Sequence, residues 1–485
     1  MKKKASRVKA SKRAQVKREA TPQAEPKPST AFPVVGMGAS AGGLEAFTEL
    51  LHHLPEKTGM AFVLVQHLDP SHGSVLPDIL SRTTRIPVLE VKDGTKVEPD
   101  HIYVIPANTN MVIEGGTLRL GARTLTRGLH MPIDQFFHSL ADERNSQAIG
   151  VILSGTASDG TEGCNAIKAA GGITFAQSEA SAKYSSMPRS AIAAGCIDFV
   201  LDPHHIAKEL TRIGRHPYVA RVLPQREDEA VIGTGTDMER LLSKVRDATG
   251  VDFNLYKAST LQRRIKRRMV LHRLEQVKDY LDFVQSNPGE LDELYRDILI
   301  HVTGFFRDKG AFDALRNQVF PSLFEHRKLD DAPIRIWVPG CSTGEEVYSI
   351  AIVLLEYMWE KARTTPASLS KGAQIFATDI GDTSLDRART GLYTEAAVSD
   401  VSPELLSRFF VRLDGGYRIN KSVRDMCIFA RQNLTKDPPF SNLDLISCRN
   451  LLIYLGPALQ KRVIPALHYA LKPNGYLMLG SSESL

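Results

Sequence analysis

The sequence predicts an α/β protein with two doubly wound parallel sheets and a small helical domain between them. Three observations predict this. An apolar run, a glycine-rich turn and a helix-patterned stretch follow one another near residues 32–54 and again near 335–354. From 237 to 325 the apolar residues recur almost only at helical spacing. The length, 485 residues, suits two or three domains. The boundaries read from composition and pattern are a basic tail at 1–30, a first α/β domain at 31–213, a linker at 214–236, helices at 237–325 and a second α/β domain at 326–485.

In the first α/β domain, Phe32–Val35 reads as a short strand. Leu44, Phe47, Leu51 and Leu54 mark one face of the helix that follows. Between them, Gly38 to Gly42 fits the G-x-S-x-G nucleophile elbow, which would leave the Ser40 hydroxyl uncovered at the top of the sheet. The same letters fit a dinucleotide fingerprint, with Gly36, Gly38 and Ala41 in its key positions. The next strand discriminates between them. Ala61–Val65 runs into Gln66 and His67, where a dinucleotide site wants an acid. A third strand, Ala148–Leu153, leads into Asp159 and Gly160. Ser40, His67 and Asp159 therefore stand at the carboxyl ends of three predicted strands, the rim where open α/β sheets place their sites. A serine hydroxyl needs a base to activate it and an acid to orient that base. Taken singly, the three read as well as a phosphate-loop serine, a packed histidine and a turn aspartate. Their coincidence on one rim favours a hydrolase.

The second α/β domain repeats the construction. Strand Arg335–Val338 is followed by the turn 339–346 and by a helix carrying Val347, Ile350, Ala351 and Leu354. The turn has no lysine, so it is no phosphate loop. It ends in acids, which suit a cationic or ribose-bearing ligand. The next strand, Gln374–Thr378, ends in Asp379, where a ribose-binding acid belongs, and strand Leu443–Cys448 ends in Arg449 and Asn450. An adenosine-type cofactor is the expectation. In the helical segment, Leu261, Ile265 and Met269 make one face, and Arg263, Arg264, Lys266, Arg267 and Arg268 cover the rest. That reads either as a docking helix for an acidic surface or as a surface helix with snorkelling arginines.

Composition bounds the rest. Residues 1–30 hold ten Lys or Arg against Glu19 and Glu25, so the remaining 455 residues carry −2 of the +6 total. The basicity belongs to the tail, which has too few large apolar residues to order itself. An arm for an anionic surface and a plain solvated leader are both open readings of it, the leader being favoured. Cys164, Cys196, Cys341, Cys427 and Cys448 are scattered without metal or disulfide spacing. A reducing, cytoplasmic setting is expected, with no metal, no membrane insertion and no nucleic-acid partner.

Residues 31–210 resemble the catalytic domain of the CheB-type receptor-glutamate methylesterases, through GASAGG at 38–43, VQH at 65–67 and LSGTASDGTEG at 153–163. The resemblance implies Ser40 as nucleophile, His67 as base and acid, and Asp159 as its orienting partner. The family usually has Met-Gly where this chain has Thr156 and Ala157. Residues 237–485 resemble the CheR-type chemotaxis receptor methyltransferases, through the stretch 301–308, GCSTGEEVYSIA at 340–351, ATDI at 377–380, CRNLLIYL at 448–455 and GYLMLGSSES at 475–484. This implies a Rossmann-like sheet binding S-adenosyl-L-methionine and a β-subdomain near 408–425. The resemblance places Thr303, Arg307, Glu346, Asp379, Asn433, Leu434, Arg449 and Asn450 around the cofactor. The expected function is methylation of glutamates and hydrolysis of the resulting esters, with deamidation of glutamines as a further activity. A methyl-accepting chemoreceptor or related signalling protein is the expected partner, and a sensor kinase a further one. A signalling scaffold with a silent esterase half is the alternative, and a plain esterase or small-molecule methyltransferase a third. No receiver domain is expected ahead of residue 31, and the chain is expected to be a piece of a longer protein.

Overall fold

The computed structural model describes residues 32–67, 75–123, 130–220, 236–299, 303–325, 332–362 and 372–483. The basic tail, most of the expected linker (221–235) and residues 301–302 lie outside them.

The first domain is a seven-stranded sheet. Its strands are β1 (Val34–Ala39), β2 (Ala61–Gln66), β3 (Val88–Glu90), β4 (Ile102–Val104), β5 (Ala148–Ile152), β6 (Ile173–Gln177) and β7 (Phe199–Leu201). They lie in the order β7-β6-β5-β1-β2-β4-β3, every pair parallel. The chain leaves β1 in one direction and returns to its other side at β5, so the switch point lies between them. Helix α1 (Gly43–His52) follows β1, α2 (Pro132–Arg144) precedes β5, α3 (Thr161–Ala170) follows it, and α4 (Pro203–Gly214) follows β7. The central strands are buried on both faces, which is why they read as unbroken apolar runs rather than alternating ones.

One element differs from the sequence reading. The first strand is not Phe32–Val35 but Val34–Ala39, so Gly36 and Gly38 lie in the strand and not in the turn. Their role is close approach. A Cβ on Gly38 would sit 2.4 Å from Ile133 Cγ2, and one on Gly36 2.7 Å from Phe137 Cε1. Without side chains there, α2 lies directly on the sheet and brings its amino end to the catalytic rim.

The expected linker starts as structure: α4 runs to Gly214, and a short helix spans Pro217–Ala220. Four helices follow, at Thr236–Thr249, Ala258–Leu271 (α5), Val277–Ser286 and Gly289–Ile298. Leu241, Val245, Phe253, Ile265, Tyr280 and Leu294 close their core.

The last domain is a five-stranded parallel sheet of β8 (Ile334–Pro339), β9 (Ala373–Asp379), β10 (Cys427–Arg431), β11 (Leu443–Cys448) and β12 (Leu471–Leu479), in the order β10-β9-β8-β11-β12. Helix α6 (Glu345–Ala362) follows β8. The switch point lies between β8 and β11. A three-stranded antiparallel subdomain combines 410–413 and 416–419 with Leu392–Tyr393. It therefore begins earlier in the chain than the expected 408–425.

Helix α5 is neither a free docking helix nor a surface helix. Arg264 donates to the carbonyls of Lys168, at 2.8 Å, and of Ala169. Arg267 donates to the Gly172 carbonyl at 2.9 Å and pairs with Asp198 and Asp297. Val270 joins the apolar core of the first domain. The Lys168 and Ala169 carbonyls belong to the last turn of α3, at the negative end of the helix dipole. The acidic surface that meets the basic helix is in the same chain.

Candidate functional site

Ser40 follows β1 directly. Its N–H donates to Ser154 O at 3.0 Å, and Gly43 N donates back to Ser40 O. Gly42 turns the chain with φ 73°, and a Cβ there would meet Ser154 Oγ at 2.6 Å. The Ser154 hydroxyl binds Ala41 O at 2.9 Å and receives Tyr184 N, which pins the elbow to the turn after β5.

His67 Nδ1 lies 3.2 Å from Ser40 Oγ, and its Nε2 lies 2.8 Å from Asp159 Oδ2. The nitrogen facing a carboxylate must carry the proton. Nδ1 is therefore the acceptor and points at the serine. Asp159 is 1% exposed, yet its carboxylate accepts two more donors: Ile133 N at 3.0 Å on Oδ2 and Asp134 N at 2.9 Å on Oδ1. Both come from the first turn of α2, which suits an anion. Neighbouring Asp134 is fully enclosed, and burial followed by the Asp159 charge pushes its carboxyl well up.

Three features of this site were not read from the sequence. Asp134 lay inside a helix pattern and gave no separate signal. His130 stands with its ring 6.5 Å from that of His67 and binds Asn110 Oδ1 at 2.6 Å. Burial, then the charges of Arg123 and His67, lower its affinity for a proton. Ala157 takes φ 66°, a left-handed conformation that costs a residue with a Cβ about 1–2 kcal/mol.

In the last domain, Ser342 N donates to Asp379 Oδ2 at 2.9 Å and Gly381 N to Oδ1 at 2.8 Å, so this acid ties the turns after β8 and β9 together. Glu346 receives Ser447 Oγ at 2.6 Å and Arg449 Nη1 at 3.2 Å. Burial pushes Glu346 up, and the Arg449 charge opposes this. Glu483 gathers the N–H groups of Asn450, Leu451 and Leu452 within 2.7–2.9 Å and shapes the turn after β11. A cleft of about 1220 Å³, counted to its open mouth, is lined by all of Thr303, Arg307, Glu346, Asp379, Asn433, Leu434, Arg449 and Asn450. It is also lined by Tyr256, Thr260 and Leu261, from α5 and the loop before it. The sequence reading gave Leu261 to the helix core alone. No spacing in the sequence ties residue 260 to 340.

Comparison with known proteins now decides the family. The description CheB methylesterase matches residues 35–210; CheR methyltransferase, all-alpha domain, matches 236–299; and CheR methyltransferase, SAM binding domain, matches 301–485. The putative methyltransferase Cher3 of Pseudomonas putida is 33% identical over 52% of this chain and 90% of its own length. This chain is a CheB–CheR fusion. An uncharacterized 104.1 kDa protein of Rhodobacter capsulatus is 36% identical across 84% of the chain, which spans 44% of that relative's length. The Thermotoga maritima CheB methylesterase catalytic domain is 27% identical over 38% of this chain and all of its own, with a TM-score of 0.36.

The CheR cleft suits S-adenosylmethionine. Among the described residues, Gln432 Oε1 and Arg449 Nε are buried without a partner, and both residues line the cleft. Glu346 and Asp379 supply acids for a cationic, ribose-bearing molecule. No helix among the described residues is long and apolar enough to cross a membrane.

Proposed function

We propose that this chain adds methyl esters to glutamate side chains of a chemoreceptor-type signalling protein and removes them again. The observation that carries this is the pairing of two sites in one chain: the hydrogen-bonded Ser40–His67–Asp159 set and the open cleft at the CheR switch point.

In the CheB half, His67 Nδ1 takes the proton of Ser40 Oγ as that oxygen attacks the ester carbonyl. The imidazolium is held by Asp159, whose two backbone donors fix its orientation. The amino-terminal turn of α1 faces the developing oxyanion. His67 then gives its proton to the departing methoxide, and methanol leaves. Water, activated by the same nitrogen, cleaves the Ser40 ester and frees the carboxylate. An amide substrate would follow the same course with ammonia leaving, which is glutamine deamidation.

In the CheR half, the bound cofactor supplies an electrophilic sulfonium methyl. Glu346 and Asp379 hold its polar groups, and Thr303, Arg307, Asn433, Leu434, Arg449 and Asn450 form the walls. A substrate glutamate is already ionised at neutral pH, so this half needs no base, only placement and exclusion of water. The chain acts in the cytoplasm on a chemoreceptor or a related signalling protein, with a sensor kinase as a second partner.

The test uses a receptor fragment methylated by this chain with radiolabelled S-adenosylmethionine. Labelling followed by methanol release supports both activities. Labelling without release under any condition removes the esterase half of the reading, and no labelling removes the transferase half.

A further inference from the structure

Where α1 meets the turn between β7 and α4, four imidazoles and two carboxylates gather away from both sites described above. His204 Nε2 and His205 Nε2 face each other at 3.1 Å, with ring centroids 3.7 Å apart. Asp202 offers a carboxylate oxygen within 4.8 Å of a nitrogen of each. Behind His204, Glu49 Oε1 lies 3.5 Å from Nδ1. The His53 ring lies 5.8 Å from that of His204 and 5.3 Å from that of His52.

We propose that Asp202, His204 and His205 bind a borderline divalent transition-metal ion of the zinc type. Two nitrogens on one tetrahedral zinc, at about 2.0–2.1 Å each, stand roughly 3.3 Å apart. The facing pair is already near that separation. Without an ion, two neutral imidazoles so placed can share only one proton between them. The carboxylate behind His204 holds the proton on Nδ1 and turns the Nε2 lone pair outward, the arrangement that carboxylates impose on metal-binding histidines. Asp202 is oriented in the same way, since one of its oxygens accepts from Ser178 Oγ. Its own carbonyl receives His205 N and Ile206 N, each at 2.9 Å, so the backbone carrying all three ligands is fixed before any ion arrives. His53 donates Nδ1–H to Glu49 O at 2.8 Å, which leaves its Nε2 lone pair as a fourth donor or as a neighbour of a bound water.

The donor set selects the ion. Two imidazoles and one carboxylate suit zinc, cobalt, nickel or copper, whereas calcium and magnesium require more oxygens. The positive amino end of α4 opposes a cation, and the charges of Asp202 and Glu49 offset it. With His53 as the fourth donor, a bound ion would fasten the start of α4 to the carboxyl end of α1, the helix that begins at the nucleophile elbow.

The experiment uses tag-free full-length protein, stripped with a chelator and titrated with zinc. We expect one equivalent bound per chain. At 100-fold excess over the dissociation constant, the melting temperature rises by about 5 °C. Cobalt in place of zinc gives visible absorption without a thiolate charge-transfer band, which separates this site from the five cysteines. The double variant His204→Ala/His205→Ala loses the equivalent and the thermal shift and keeps its methanol-release rate. The single variant His205→Gln, at an exposed position, gives the same result if the double variant does not fold. An equivalent of zinc that persists in the variants, or binding with no thermal shift, overturns the proposal.

Discussion

The two catalytic regions are built alike and finished differently. Each places a strand, a tight turn and a helix at the switch point of a parallel sheet. In the CheB half the side chains complete one another: Ser40, His67 and Asp159 are within hydrogen-bond reach, and the last accepts three bonds in all with the helix donors counted, His67 and Ile133 sharing Oδ2 and Asp134 N on Oδ1. In the CheR half the polar groups tie turns together. Asp379 and Glu483 are engaged by backbone N–H groups, and they frame a space instead of filling it. A hydrolase must carry its own nucleophile and proton shuttle. A methyltransferase receives its electrophile from outside, and its carboxylate substrate needs no base. The difference teaches that one chain can use the same scaffold for a closed reactive set and for an open receptacle.

The sharpest way to break this comparison is Ser40→Ala. Removing the nucleophile should lower ester hydrolysis by about 10⁴-fold or more and leave methyl transfer unchanged, as read by methanol release and by label incorporation on one receptor fragment. Equal loss of both would mean that the sites are not independent constructions.

Next in size is the join between the halves. Arg267 is fully buried and faces Asp198 of the first domain and Asp297 of the helical domain. Burial alone would raise Asp198, but the Arg267 and Lys168 charges hold it below its ordinary range. Arg267→Ala leaves two enclosed carboxylates without their cation and should cost about 3–5 kcal/mol. Urea denaturation checks this. A loss near zero would mean that the domains separate freely in solution and that the carboxylates are hydrated there.

What the sequence made legible follows the same division. Ser40, His67, Asp159, Asp379 and Arg449 sit at strand ends, and a strand end is marked locally by an apolar run meeting a turn. The burial of α5 against the first domain was not legible. Its arginines look exposed in any helical projection, and their acceptors are carbonyls near residue 170, which carry no sequence signature. Gly36 and Gly38 were misplaced for a related reason. A glycine needed for a turn and one needed for close approach of a helix are the same letter, and only Ile133 and Phe137 distinguish them.

A third test sharpens the contrast through pH. Glu345, at the start of α6, is pushed up to about 7, first by burial. Thr343 donates to both its oxygens; Glu162 across the interface raises it further and Arg387 opposes this. The folded state thus binds a proton that the unfolded state releases near 4.5. The contribution of this group is complete below pH 4.5 and fades as pH rises through 7. Over that window it amounts to about 3 kcal/mol. In Glu345→Gln the loss should disappear, so the stability difference between the two proteins should change with pH in this window by that amount. Parallel curves from pH 4.5 to 8 would show that Glu345 is ionised in the fold.

The smallest effect concerns the one place where the CheB site departs from its family's usual letters. Ala157 holds φ 66° two residues before Asp159, in the turn that also carries Ser154 and Gly155 beside the nucleophile. The neighbours over-determine that turn: Gly155 N donates to Tyr184 O and Met187 N to Gly155 O. The backbone therefore keeps a conformation that its residue disfavours. Ala157→Gly removes a cost of about 1–2 kcal/mol and adds some unfolded-state entropy, for a net gain of roughly 0.5–1 kcal/mol. Because the turn is already in place, methanol release should stay within about twofold. A gain in stability with unchanged rate would show that the strain is tolerated and not used. A faster enzyme would mean that Ala157 holds the turn beside the nucleophile slightly out of position, and that the closed site is less complete than its hydrogen bonds suggest.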